Sequence, residues 1–116
     1  MSTASKVTLT LTTLATEMDA DAMTHTLLKE GLAACVSRIG NVRSTYHWQG
    51  AVEQNVEVLL LIKHASLRTA ALAKRVKELH PYETPELLHF EAQGGLAEYM
   101  AWVTGTSQNE SGPAAS

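Results

Sequence analysis

The chain has a single cysteine, Cys35, so it can form no internal disulfide, and one free thiol suits a reducing compartment. It has no apolar run near the ~20 residues that span a bilayer, so no membrane-spanning helix is expected. Lys6 to Ala15 joins a cation to apolar residues, but threonines interrupt it; it reads as a strand rather than a signal peptide, and a cytoplasmic protein is expected. Basic residues are sparse, nine against twelve acidic for a formal charge of -3, and the only group of them is Lys74, Arg75 and Lys77 on a predicted helix. A nucleic-acid partner is therefore not expected. There is no glycine-rich phosphate loop, no Ser or Cys nucleophile in a recognisable setting and no defensible carboxylate pair, so catalysis is not expected either. Prolines are few, three in all, yet two of them, Pro81 and Pro85, fall within the eight residues Leu79 to Glu86.

What is present fits one compact domain. With 116 residues and 45% hydrophobic content, about two-thirds of the unfolded surface can be buried. Residues 1–5 and 106–116 lack large apolar side chains and are expected to stay disordered, leaving residues 6–105 as the folded domain. Val7, Leu9 and Leu11 alternate with Thr8, Thr10 and Thr12, the period of a strand. Thr16 and Asp19 form a capping pattern for a helix over Glu17 to Glu30, with Gly31 as its left-handed stop. Ala33 to Ile39 and Val42 to Trp48 read as one bulged strand, Gln49-Gly50 as a turn, and Val52 to Lys63 as a central strand. Ser66 is a candidate N-cap for a second helix that Pro81 stops. Leu88, Phe90 and Ala92 give a fourth strand, and Leu96 to Val103 a C-terminal helix.

This order predicts an α+β fold, the ferredoxin-like split βαβ sandwich (βαββαβ), with a long hairpin between strands two and three. Right-handed crossovers put both long helices on one sheet face. The other face is left apolar and bare, which predicts a homo-oligomer.

The segment His80-Pro81-Tyr82-Glu83-Thr84-Pro85-Glu86 is stiff, because each proline also restricts the residue before it. His80 can serve as a metal ligand, or its ring can instead hold the pre-proline backbone by a hydrogen bond. Tyr46 and Trp48 share one face of the hairpin and suit a subunit contact. Glu57 and Lys63 share a strand face six residues apart; each can bind a small ion or form an ion pair across an interface, the second being favoured. Cys35 is expected to be buried, and His25, His47, His64 and His89 exposed. Tyr82, Glu83 and Lys63 can line a cleft between subunits.

Leu32-Ala33-Ala34-Cys35-Val36, Tyr46-His47-Trp48-Gln49-Gly50, Glu57 with Lys63, the His80 to Glu86 segment, and Tyr99 with Trp102 together resemble the CutA family of divalent-ion tolerance proteins. The resemblance implies a tight cytoplasmic homotrimer, related in architecture to PII signalling proteins, that binds copper(II) or another divalent cation without needing it to fold. Copper-binding members are described with a late first-strand cysteine and paired histidines before the Pro-Tyr; here Thr12 and Leu79 stand at two of those positions, leaving His80. The expected function is divalent-metal tolerance by binding rather than turnover. The alternatives are a PII-like module taking a small anionic ligand between subunits, or a ligand-free scaffold.

Overall fold

A computed structural model describes residues 6–108; the expectations for residues 1–5 and 109–116 lie outside them. The elements are β1 (Val7–Leu14), α1 (Glu17–Lys29), β2 (Cys35–Trp48), β3 (Ala51–Ala65), α2 (Thr69–Leu79), β4 (Leu88–Glu91) and α3 (Ala97–Gln108). The four strands form one antiparallel sheet in the order β2-β3-β1-β4, as the split βαβ reading requires.

Local chemistry sets most boundaries. The Thr16 hydroxyl accepts the Asp19 amide proton at 3.1 Å, satisfying one of the free donors at the start of α1. Beyond its end Gly31 sits at φ 71°, a left-handed conformation that costs glycine least. The β2–β3 hairpin closes through Gln49 and Gly50, with φ of 49° and 80°. Two successive left-handed residues give a turn whose twist matches that of the strands. Lower in the hairpin the register shifts between Ile39 and Val42, where Asn41 adopts φ 58°; this is the expected bulge. The arms of 14 and 15 residues stretch the molecule to 47 Å in its longest dimension, against 27 and 23 Å in the others.

Two boundaries differ from expectation. Ser66 does not cap α2: its hydroxyl pairs with Thr8 Oγ1 at 2.7 Å, and a 3-10 turn over Ser66–Arg68 leads into the helix. The long-range partner outbids the local capping role. Helix α3 continues past Gly105 to Gln108, and no proline intervenes before Pro113 to stop it.

The main core lies between the sheet and helices α1 and α2, where Leu14, Met23, Leu27, Val58, Leu60, Ile62, Leu72 and Val76 pack together. Each such side chain contributes about 1.5–3 kcal/mol of burial free energy. Strand β1 turns Thr8, Thr10 and Thr12, followed by Leu14, toward this core, while Leu9 and Leu11 are half-exposed. The pairing explains it, because Thr10 and Thr12 lie opposite Ile62 and Leu60, which the helices cover. Leu9 and Leu11 therefore belong to the other face, with Leu59, Leu61, Ile39, Leu88 and Phe90. Helix α3 covers one end of that face with Val103 packed on Val7 and Ala34. Beyond it Ile39, Leu88 and Phe90 stay 49%, 51% and 50% exposed, and among the described residues the open side of β3, central in the sheet, is covered only at its α3 end.

Candidate functional site

At the end of the open face away from α3, the His80 to Glu86 connector folds back beside the hairpin and encloses a cleft of about 850 Å³. Strand alternation supplies one wall: Ser44, Tyr46 and Trp48 of β2 lie opposite Asn55, Glu53 and Ala51 of β3, so their side chains share a side. The connector supplies Tyr82, Glu83, Thr84 and Glu86, and Thr13 forms part of the floor. Tyr46 OH accepts a hydrogen bond from Asn55 Nδ2, which ties the two hairpin arms. Among the described residues four carboxylates line the cleft, those of Glu53, Glu57, Glu83 and Glu86, and no Lys, Arg or His does.

Glu57 is the innermost of them, 8% exposed. Its Oε2 accepts a hydrogen bond from Tyr82 OH at 3.1 Å, and among the described residues no cation lies within ion-pair distance. Burial and the Glu57 carboxylate together push the Tyr82 phenol up to about 12, so it remains a donor at any physiological pH.

His80 holds this arrangement in place. Its Nε2–H donates to the Thr13 carbonyl at 2.7 Å, and its Nδ1 accepts the Tyr82 amide proton at 3.2 Å. A carbonyl only accepts and an amide N–H only donates, so the two bonds fix a neutral ring with one tautomer. No lone pair is left for a metal. Pro81 keeps His80 extended, at φ -76° and ψ 133°, and the His80 and Tyr82 rings pack 4.8 Å apart. Lys77 Nζ donates to the Glu83 carbonyl and anchors the far side of the connector.

Lys63 stands apart from the cleft, near the α3 end of the same face. Its ammonium donates to Ser37 Oγ and lies 3.9 Å from Cys35 Sγ, and among the described residues no carboxylate is within ion-pair distance. Cys35 is half-buried rather than buried, because it points to the open face, where α3 covers it only in part. Burial, with Cys35 alongside, raises the Tyr99 phenol above its usual range.

Of the residues singled out from sequence, the structure thus brings Tyr46, Trp48, Glu57, Tyr82 and Glu83 into one cleft, seats His80 behind it as a brace, and leaves Lys63 at the opposite end. Glu53 and Asn55 were missed; the alternation of β3 placed both beside Glu57. The expectation of four exposed histidines fails at His64, which is fully buried. Its Nδ1–H donates to the Ala65 carbonyl at 2.9 Å, its Nε2 accepts from the Thr10 hydroxyl at 2.7 Å, and Thr10 Oγ1 accepts from His89 Nδ1–H at 2.8 Å. Burial, with His89 nearby, holds the His64 pKa below its usual value. This chain pins edge strand β4 to β1 and β3.

Among the described residues no group of three or more His, Cys, Asp or Glu side chains converges closely enough to hold an ion, and His80 is committed on both nitrogens. A copper-type site of imidazole and thiolate donors does not fit within one chain.

A four-stranded split βαβ sandwich, with an open apolar sheet face and an acidic, aromatic cleft beneath a long hairpin, defines a small α+β module of the ferredoxin-like class. The model of the CutA1 divalent ion tolerance protein family matches residues 8–106. A divalent-cation tolerance protein CutA of Pectobacterium atrosepticum is 42% identical over 84 residues, which cover 72% of this chain and 76% of that protein. Among solved structures, CutA1 from Oryza sativa superposes with a TM-score of 0.86 at 30% identity, covering 90% of this chain and 96% of that one. CutA from Xylella fastidiosa gives 0.84 at 36% identity, covering 86% and 96%. The chain belongs to the CutA1 divalent ion tolerance family.

Proposed function

We propose that this protein contributes to divalent-cation tolerance by binding rather than turnover, as a cytoplasmic homotrimer. Family membership supports the role, and the cleft is the observation that carries the mode of action: four carboxylates, no cation, and no nucleophile paired with a base. Carboxylate oxygens are hard donors, suited to hard cations more than to copper. The rim groups Glu53, Glu83 and Glu86 are exposed to arriving ions, whereas Glu57 is already buried against Tyr82. Among the described residues no closed coordination shell is present within one chain. The trimeric reading rests on the exposed apolar strip of Ile39, Leu88 and Phe90, which a monomer would leave in water, and on the trimer implied by the family resemblance. A small anionic ligand of the PII type would meet only negative charge in this cleft, so the signalling alternative is disfavoured.

Calorimetric titration of the wild type with copper(II), manganese(II) and magnesium(II), repeated on a Glu83→Gln/Glu86→Gln variant, tests this. Binding that the variant weakens supports the reading; no heat from any of the three ions refutes it.

A further inference from the structure

We propose that the Glu57–Tyr82 cleft is completed by a second copy of this chain, whose Lys63 ammonium enters it and pairs with Glu57. The inference rests on the homo-oligomeric reading above and assigns the residues through which that assembly closes.

Strand alternation puts Val7, Leu9, Leu11 and Thr13 of β1, Leu88 and Phe90 of β4, and the odd-numbered residues of β3 on the open side of the sheet. Among the strand residues there, Lys63 is the only cation, and Glu57 and Glu53 are the only anions. Lys63 and Glu57 are separated along β3 by Leu59 and Leu61, roughly 20 Å of extended chain, too far to meet within one copy. Each is incompletely matched where it stands. Glu57 is more than nine-tenths buried with one neutral donor, and Lys63 is half-buried against a hydroxyl and a thiol.

Covering the strip of Ile39, Leu61, Leu88 and Phe90 with another copy removes both charges further from water. A buried carboxylate and a buried ammonium left unpaired are costly, so the packing that brings one copy's Lys63 to its neighbour's Glu57 is favoured over others that hide the same apolar area. The cleft is suited to that ammonium: its entrance carries Tyr46 and Trp48, whose faces accept the lysine's alkyl stem and charge, and its interior is uniformly acidic. The contact is head-to-tail, a charged end of one chain against the opposite end of the next, and such contacts close into rings when the rotation allows.

The experiment is a charge swap on the full chain. The concentration at which the oligomer dissociates is measured by analytical ultracentrifugation for wild type, Glu57→Gln, Glu57→Lys, Lys63→Glu and the double variant Glu57→Lys/Lys63→Glu. Far-UV circular dichroism tracks folding in each, and Glu57→Gln keeps an acceptor for Tyr82. Each single variant is expected to dissociate at concentrations at least tenfold above wild type, with the double variant restored toward the wild-type value. Single variants that assemble like wild type, or a double variant no tighter than the singles, overturn the pairing while leaving an oligomer in place. A wild type that is monomeric throughout overturns the oligomeric reading itself, and the pair with it.

Discussion

His80→Ala separates a structural brace from a metal ligand. In the folded chain the ring donates to the buried Thr13 carbonyl at 2.7 Å and accepts the Tyr82 amide at 3.2 Å, with the ring itself buried. Truncation removes both bonds at a net ~1 kcal/mol each and leaves a buried carbonyl without its donor, which costs a further 1–3 kcal/mol or so. Allowing for water reaching the more exposed Tyr82 amide, the variant should lose about 2–4 kcal/mol of stability. Urea denaturation at matched protein concentration measures this, since assembly makes the midpoint concentration-dependent. Calorimetry on the same samples should give copper(II) heats equal to those of wild type. A variant with an unchanged urea midpoint and abolished copper binding would refute the argument, because the ring would then be a ligand and not a brace.

Three further outcomes follow from the same contacts. His64 is fully buried with its pKa held below 6.5, so the unfolded chain takes up its proton first as pH falls; stability should drop below about pH 6.5, and His64→Gln should flatten that part of a pH series of urea midpoints. Tyr82 should be the last tyrosine to ionise, near pH 12 in ultraviolet difference titration; in Glu57→Gln its pKa should fall, and a titration indistinguishable from wild type would remove the Glu57 contact from the account. Leu60→Ala, at a fully buried position of the central strand, should cost about 2–5 kcal/mol by thermal or urea unfolding, and a loss under 1 kcal/mol would contradict the core described.

The fold was largely legible because its determinants are local. The Thr16 cap, Gly31, the Gln49-Gly50 turn and Pro81 each act within a few residues, and alternation set the strands. The site was legible in part: the rigid connector and Tyr46, Trp48, Glu57 and Tyr82 stood out by type and spacing. What misled were residues whose partners are far along the chain. Ser66 reads as a cap until Thr8, 58 residues away, takes its hydroxyl. His64 reads as a surface histidine until β1 and β4 bring Thr10 and His89 against it.

By itself, then, the sequence determined the order of elements, the hairpin and the stiffness of the His80 to Glu86 segment, all consequences of backbone sterics and periodicity. Only the tertiary structure decided which side of β1 faces the helices. An alternating strand has two faces, and nothing local says that Thr10 and Thr12 will be covered and Leu9 and Leu11 left open; the register against Leu60 and Ile62 does. That choice carries Lys63 and Glu57 onto the exposed face. It also turns His80 inward, where both its nitrogens bind backbone, because the end of β1 lies beside the connector only once the sheet has formed.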